Sequence, residues 1–375
     1  MKLKPKSIDF KDADEFLDYI LKKDWDVDNS DYELSCLINK NWIFRGIGDS
    51  NFKLIPSAWR CNRFQNPSRN HIDLTKPDRP WVKIVAKKYK INQLDIEIIN
   101  QLFQQIFLEM HIVQDFITLS NRVRLPVESV FPFNVNLNFN TPDDKHLFWY
   151  KVCEKFITWI QKFDEFDIPS DMSEESDIAF GSNKFLFPYL CPQFDEHAVA
   201  YAQHHGVPTR LLDFTYNPLK AAWFAVKQYQ DILDQPKIEA PKYVSVIALH
   251  KRLIGCRGES ASSYTMRPLD FIDGFKMSNF HNLFNQEGIF ISMVYANKYF
   301  YKYGEWPDLN EYLCQYVSSL KEEDIDSYFL QMNIPNTSIE DLRVKLEKYD
   351  ISKSYLMPSY DHVAEQILSL GIYKE

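Results

Sequence analysis

Apolar residues recur at helical spacing along most of this chain, and strand-like segments are few. The pattern predicts helices over residues 12–23, 94–121 and 145–163, and again over 339–370 with an interruption at Pro358. We expect the helices over 94–121 and 145–163 to pack against each other. The segment from residue 64 to residue 195 is therefore expected to form a helical subdomain.

Three short segments have the β-branched and aromatic content of strands. They are residues 41–46 (NWIFRG), 243–249 (YVSVIAL) and 289–294. Few strands between long helical stretches favour an α+β fold over a doubly wound parallel sheet. The expected architecture is a small, mixed and mostly antiparallel sheet flanked by helices, with the helical subdomain as an insertion packed to one side.

The segment AQHHGVPTRLLDFTYNPLKAAWFAV, residues 202–226, lies where two helices are predicted to meet. The first helix is expected to end at Gly206, because the left-handed conformation that commonly closes a helix is cheap for glycine. A short extended piece follows. Asn217 then caps the second helix, and Pro218 takes its first position, where a missing N–H costs nothing. The buried stripe of this second helix is expected to comprise Leu219, Ala222, Trp223, Val226 and Leu233.

The corner between these two helices carries most of the ionisable side chains of the segment, namely His204, His205, Arg210 and Asp213. Corners held by rigid elements commonly carry functional sites. A structural interpretation is also open, in which Arg210 and Asp213 form an ion pair that ties the corner and His205 is a satisfied core histidine. The residues alone do not decide between the two.

Charge and cysteine content narrow the classes of function. The formal net charge is −9 and the pI is about 5.6, which gives no overall attraction to nucleic acid or to anionic membranes. The six cysteines (Cys36, Cys61, Cys153, Cys191, Cys256 and Cys314) form no CxxC pair, so we expect neither a zinc site nor a disulfide framework. No apolar run is long enough to span a membrane. We expect a cytoplasmic protein without a metal site.

Two motifs resemble those of the FRG domain, a bacterial and phage family. The first is Phe44-Arg45-Gly46, followed by the element Leu54, Pro56, Ser57 and Arg60. The second is AQHHGVPTRLLDFTYNPLKAAWFA, residues 202–225, which is similar to the family pattern AQHxGxPTRLLDWTxNPLxAxxFA. NQEGIF (285–290) and YLMPSYDHVAEQI (355–367) look like two later elements of the family. Ile47, Phe214 and the 359–361 stretch depart from the usual residues.

The resemblance divides the chain into three parts. Residues 1–63 form the N-terminal part with the FRG strand, 64–195 a family-variable and largely helical insertion, and 196–375 the main part. The family occurs in mobile and defence loci, which implies a toxin or an antiviral effector. It brings no activity that can be carried over residue by residue.

The first functional hypothesis is an NAD-dependent ADP-ribosyltransferase. The strand end WIFRG is similar to the opening strand of arginine-type ADP-ribosyltransferases, in which the arginine holds the phosphates of the dinucleotide. Such a site also needs an aromatic ring to stack on nicotinamide, for which Tyr201 or Trp223 are candidates. A carboxylate must stabilise the oxocarbenium, for which Glu287 or Glu365 are candidates.

Three alternatives remain. Arginines and histidines could bind the phosphate of a nucleotide or nucleic acid without catalysis, with net charge favouring a small anion. His204 or His205, oriented by Asp213, could act as the general base of a nuclease or hydrolase. In the third alternative the protein is a pure scaffold, and Arg45 and Asp213 form a buried pair that holds the two motifs together.

Together these hypotheses give a list of candidate site residues. The catalytic candidates are Arg45, His204, His205, Asp213 and Glu287, and the cofactor-binding candidates are Arg45, Arg60, Thr209, Arg210 and Tyr201. Since buried charges need partners, we expect Arg45 to lie within hydrogen-bonding reach, directly or through one water molecule, of the corner that holds His204, Thr209 or Asp213. NAD is the candidate substrate, and the sequence assigns no oligomeric state.

Overall fold

The fold is given by a computed structural model. It describes residues 5–23, 25, 41–60, 84, 87–88, 90, 93–125, 196–236, 238–250, 269–272, 281–293, 295–317 and 328–369. The α-helices of this part are α1 (Ala13–Lys22), α2 (Gln93–Arg122), α3 (Glu196–His204), α4 (Pro218–Leu233), α5 (His281–Asn285), α6 (Ala296–Tyr303), α7 (Leu309–Val317), α8 (Ile339–Glu347), α9 (Lys353–Leu356) and α10 (Tyr360–Ser369). Two short 3₁₀ helices cover Ser57–Trp59 and Asn336–Ser338.

Seven strands form one mixed sheet in the order β1-β7-β4-β2-β3-β6-β5. The strands are β1 (Lys6–Asp9), β2 (Trp42–Ile47), β3 (Leu211–Thr215), β4 (Tyr243–His250), β5 (Leu269–Ile272), β6 (Gly288–Met293) and β7 (Phe329–Pro335). Only the pair β1–β7 is parallel among these strands, and the other neighbours are antiparallel. The α+β fold expected from the sequence is confirmed.

Two hydrophobic clusters hold helices against the sheet. In the first, α4 supplies Ala221, Ala222 and Val226, which pack with apolar residues of β2, β4 and β7 and with α1 and α8. In the second, α2 and α3 pack against Leu211 of β3 and Phe290 of β6. The strands β2 and β3, which meet in the middle of the sheet, are therefore held by two different sets of helices.

The sequence patterns located several elements to within a residue or two, but they missed the strands β1, β5 and β7 and the helices α5, α6 and α7. The helix over 94–121 and the strands over 41–46, 243–249 and 289–294 correspond to α2, β2, β4 and β6. The expected C-terminal helical stretch is divided into α8, α9 and α10. The helix expected over 145–163 lies outside the described residues. Leu233 was wrongly placed in the buried stripe of α4: it is the last residue of the helix and is 47% exposed.

Candidate functional site

The central sheet is open at the junction of β2 and β3. Six residue pairs join β2 to β4, and five join β3 to β6, but the described residues of β2 and β3 pair only at Phe44 and Thr215. Continuing that register would place Gly46 opposite Asp213. The two strands instead separate, and side chains occupy the opening.

Arg45 bridges this opening. Its Nη1 donates to the backbone carbonyl oxygen of Asp213 at 2.6 Å and lies 3.4 Å from the Oδ2 of the same residue. The side chain is 16% exposed, and its Nε is buried without a hydrogen-bond partner in the described part of the chain. The expected convergence of the two motifs is confirmed, because residues 168 positions apart in the chain are in contact.

A chain of hydrogen bonds fixes the carboxylate of Asp213. Gln203 Nε2 donates to Asp213 Oδ2 at 3.1 Å, and Thr209 Oγ1 donates to Gln203 Oε1 at 2.7 Å. Ser57 Oγ lies 3.4 Å from the same Gln203 oxygen and accepts from the backbone N–H of Thr209 at 3.2 Å. These partners determine which end of the Gln203 amide is the oxygen and which is the nitrogen. The nitrogen end donates to Asp213 and fixes the orientation of its carboxylate.

The helix ends that frame this network follow from local sequence. Gly206 has φ +82°, and the N–H of Val207 bonds the carbonyl oxygen of Ala202, so α3 closes as expected from the glycine. The Asn217 side chain accepts from the N–H groups of Leu219 and Lys220 at the start of α4. These two caps end α3 shortly before β3 and begin α4 shortly after it.

Gly46 has a packing role beside Arg45. A Cβ built on Gly46 would lie 1.9 Å from the carbonyl oxygen of Ala221 and 2.5 Å from the backbone nitrogen of Ala225. Both contacts are to the backbone of α4, so they cannot be relieved by a side-chain rotation. The glycine therefore lets α4 lie directly on β2, next to the arginine.

A cleft of about 340 Å³ opens at the separation of the two strands. Four phenylalanines contribute to its walls, namely Phe44, Phe214, Phe224 and Phe290. The charged residues that line it are Arg45, Lys227, Asp213 and Asp231, and Lys227 Nζ lies 2.8 Å from Asp231 Oδ2. The cleft therefore combines an aromatic surface with a balanced set of charges, as small-molecule sites commonly do.

His204 lines the cleft as a neutral side chain. Burial, with a smaller contribution from His205, lowers the pKa of His204 to about 4 despite the opposing effect of Asp213. No hydrogen bond of the described residues joins its ring to Asp213 or to any other group. His205 lies outside the cleft lining, edge-on to the ring of Tyr201 with centroids 4.5 Å apart, and burial lowers its pKa as well.

Arg210 belongs to a buried structural cluster. It is 1% exposed, its Nε donates to Glu109 Oε2 at 2.6 Å, and its Nη1 donates to Asn297 Oδ1 at 3.1 Å. The guanidinium carbon lies 5.6 Å from the ring centroid of Trp59. Arg210 thus ties β3 to α2 and α6, and the ion pair with Asp213 considered from the sequence does not form.

Glu109 was missed by sequence reasoning, although a signal was available. It lies on the same helical face as Ile106 and Val113, both of which are buried. A carboxylate inside an apolar stripe needs a buried cation, because an uncompensated charge is costly there. Gln203 was also missed, although it precedes His204 in the same last helical turn.

The remaining predicted site residues lie outside the cleft lining. Arg60 donates from its Nε to the carbonyl oxygen of Ile55 and lies over the ring of Phe52. Glu287 pairs with Lys220 at 2.9 Å, and Glu365 pairs with Lys353 at 2.6 Å. Three further candidates are placed elsewhere: Thr209 in the network behind Asp213, Tyr201 against Phe116, and Trp223 in the core. Of the candidate residues, the structure brings together Arg45, His204 and Asp213.

A scan against family models matches the FRG domain to residues 162–232, a range that includes α3, β3 and α4. The match confirms the assignment of this region to the FRG domain and includes the second motif, residues 202–225, whereas the first motif, residues 44–60, lies outside the matched range. The comparisons with curated proteins and with solved structures found no match. The division of the chain at residues 63–64 and 195–196 stays a prediction.

Two searches of the described residues bear on other kinds of site. No group of three or more His, Cys, Asp or Glu side chains in this part of the chain is arranged to hold a metal ion. Among the same residues, no helix is both long enough and apolar enough to cross a membrane.

Proposed function

We propose that the cleft between β2 and β3 binds a nucleotide, with Arg45 receiving its phosphate. The observation that carries this proposal is the state of the guanidinium. Its Nη1 is committed to the backbone of Asp213, whereas Nε is buried and has no partner among the described residues. Nε–H and the neighbouring Nη2–H form one edge of the rigid guanidinium fork, and this edge matches two oxygens of a phosphate.

The walls of the cleft suit the remainder of a nucleotide. Phe224 is partly exposed and offers apolar surface for a base, whereas Phe44, Phe214 and Phe290 are at most 4% exposed and lie beneath the cleft. The volume of about 340 Å³ suits a small molecule. The charges of the lining residues cancel, and the chain carries a net charge of −9. Both features favour a small ligand over a nucleic acid, whose binding depends on many cationic contacts to phosphates.

A titration of the purified chain tests this proposal. We expect isothermal titration calorimetry to detect binding of AMP and NAD, and to detect weaker binding of inorganic phosphate, which makes no contact with the aromatic walls. Arg45→Ala is expected to abolish binding. Arg343→Ala serves as the matched control, because Arg343 pairs with Glu340 and Glu347 on α8 and does not line the cleft. Absence of nucleotide binding to the wild-type chain would contradict the proposal.

NAD-dependent ADP-ribosyl transfer is the second candidate, and the position of Asp213 favours it. Its carboxylate is 51% exposed and lies beside Arg45, where it could stabilise positive charge on a ribose held through its phosphate. In such a reaction the bond between ribose C1′ and the nicotinamide nitrogen breaks, and neutral nicotinamide leaves. An acceptor oxygen or nitrogen then bonds C1′ and releases a proton. Asp213 lines the cleft beside Arg45, whereas Glu287 and Glu365 do not line it.

The release of nicotinamide from NAD distinguishes a transferase from a protein that only binds the nucleotide. Incubation of the chain with NAD and cell extract, followed by chromatography, should yield nicotinamide and ADP-ribosylated acceptors if the second candidate is correct. An effector role in toxicity or defence, in the cytoplasm where these nucleotides occur, predicts toxic overexpression that Arg45→Ala relieves. NAD binding without nicotinamide release would leave binding as the function and reject the transferase.

A hydrolase based on His204 or His205 has less support. A general base works best with a pKa near the working pH and with a partner that orients it. The pKa of His204 is lowered to about 4, and no hydrogen bond links its ring to Asp213. Asp213 is instead bonded by Gln203 and Arg45.

A further inference from the structure

Only one carboxylate oxygen of Asp213 has hydrogen-bond partners among the described residues. Oδ2 receives Gln203 at 3.1 Å and lies 3.4 Å from Arg45 Nη1, whereas no described residue donates to Oδ1. The side chain is 51% exposed and lines the cleft. A ligand seated on Arg45 therefore meets a hydrogen-bond acceptor directly beside the arginine.

The orientation of this acceptor is set before any ligand arrives. Gln203 holds Oδ2, and Thr209, which is 1% exposed, holds Gln203 through a 2.7 Å hydrogen bond. Ser57 adds a contact from the 3₁₀ helix Ser57–Trp59. An acceptor fixed in this way loses little conformational entropy when a donor binds to it.

We infer that Asp213 receives a ribose hydroxyl of the bound nucleotide, so that the site selects ribonucleotides over deoxyribonucleotides. This inference rests on the proposed nucleotide site. In a nucleotide the hydroxyl donors lie on the same sugar that carries the phosphate, which matches the adjacency of Asp213 and Arg45. The carboxylate accepts only, so it distinguishes a sugar that offers a hydroxyl donor from one that lacks it.

Rejection of the deoxy sugar follows from the same geometry. Without the hydroxyl, Oδ1 faces the ligand without a donor and without its full hydration. A site built to bond a hydroxyl discriminates strongly against the analogue that lacks it, because its own polar group is left unpaired. Hydrogen bonds to charged groups are strong enough to make this difference about tenfold to a hundredfold in affinity.

The test compares AMP with its 2′-deoxy and 3′-deoxy analogues on three forms of the chain by calorimetry. On the wild type, at least one deoxy analogue should bind about tenfold or more weakly than AMP. Asp213→Ala should remove that difference while still binding a deoxy analogue. Asp231→Ala is the matched control, because Asp231 also lines the cleft and is similarly exposed, at 58% against 51%; it should keep the difference.

The outcomes separate the inference from the proposal on which it rests. Equal binding of AMP and both deoxy analogues to the wild type would overturn the inference while the nucleotide site stands. If the affinity difference between AMP and a deoxy analogue persists in Asp213→Ala, the inference is also overturned, since another group would then recognise the ribose hydroxyl. Failure of the folded wild type to bind any of the three nucleotides would overturn both. Thermal melting of each variant establishes that it is folded.

Discussion

Arg45 Nη1 donates to the backbone carbonyl oxygen of Asp213 at 2.6 Å, at the point where the central strands β2 and β3 separate. The contact joins the FRG motif to the PTRLLD motif. The Nε of Arg45 stays buried without a hydrogen-bond partner in the described structure. The two motifs therefore meet at one cleft, which both Arg45 and Asp213 line.

Substitution of Gly46 tests the packing beside this site. Gly46→Ala should lower the free energy of unfolding by about 3 kcal/mol or more, because its Cβ would meet the backbone of α4 and the neighbours cannot rotate away. Gly206→Ala is the matched control. Its cost should be about 1 kcal/mol, from the positive φ alone, since a Cβ there meets nothing within 4 Å. Urea denaturation measures the free energy of unfolding of both variants. Equal losses would contradict the close packing of α4 on Gly46.

The buried pair of Arg210 and Glu109 should be essential for stability. Glu109→Leu leaves the Arg210 charge without its carboxylate in a site that is 1% exposed, so we expect a loss of about 3–5 kcal/mol. The double substitution Glu109→Leu with Arg210→Met should recover much of this loss, because no charge remains buried.

Glu340→Ala provides the control for that pair. Glu340 is 71% exposed and pairs with Arg343 on the surface, so its loss should cost less than about 1 kcal/mol. A Glu109→Leu variant as stable as Glu340→Ala would show that the buried pair does not hold β3 to α2. Chemical denaturation monitored by circular dichroism gives all the values.

Acid sensitivity should depend on His204. The folded-state pKa of His204 is lowered from 6.5 to about 4, so between these values the unfolded chain binds more protons than the folded one. Stability contributed by the neutral imidazole is therefore complete above about pH 6.5 and is lost as the pH falls towards 4. His204→Gln should flatten the decline of melting temperature in this window. The pKa of neighbouring His205 is also lowered, so His205→Gln should have a smaller effect in the same direction. An unchanged slope in His204→Gln would contradict the buried, neutral state.

The sequence predicted the elements better than it predicted their partners. Periodicity and caps located α2, α3, α4 and the central strands, because spacing, Gly206 and Asn217 act locally. The contact between Arg45 and Asp213 could be expected only from the cost of burying charge, since 168 positions separate the residues.

Arg210 illustrates what local reasoning could not supply. Its partner, Glu109, is 101 positions away on α2, whereas Asp213 is a neighbour in sequence and was the pair considered. Arg210, which immediately precedes β3, is 1% exposed in the core, whereas Asp213 within the strand is 51% exposed. Likewise, the separation of β2 from β3 after the single pair Phe44–Thr215 involves strands that are far apart in the chain, so no short segment indicates it.

Calorimetric titration of Arg45→Lys with AMP tests the central claim most directly. Lysine keeps the charge but lacks the two-donor edge, so we expect AMP affinity to fall about thirtyfold or more relative to the wild type. The melting temperature should stay within about 2 °C, because lysine keeps the positive charge beside the carboxylate of Asp213. If the wild type binds AMP and Arg45→Lys binds it equally well, the guanidinium edge is not the phosphate site, and the account is wrong.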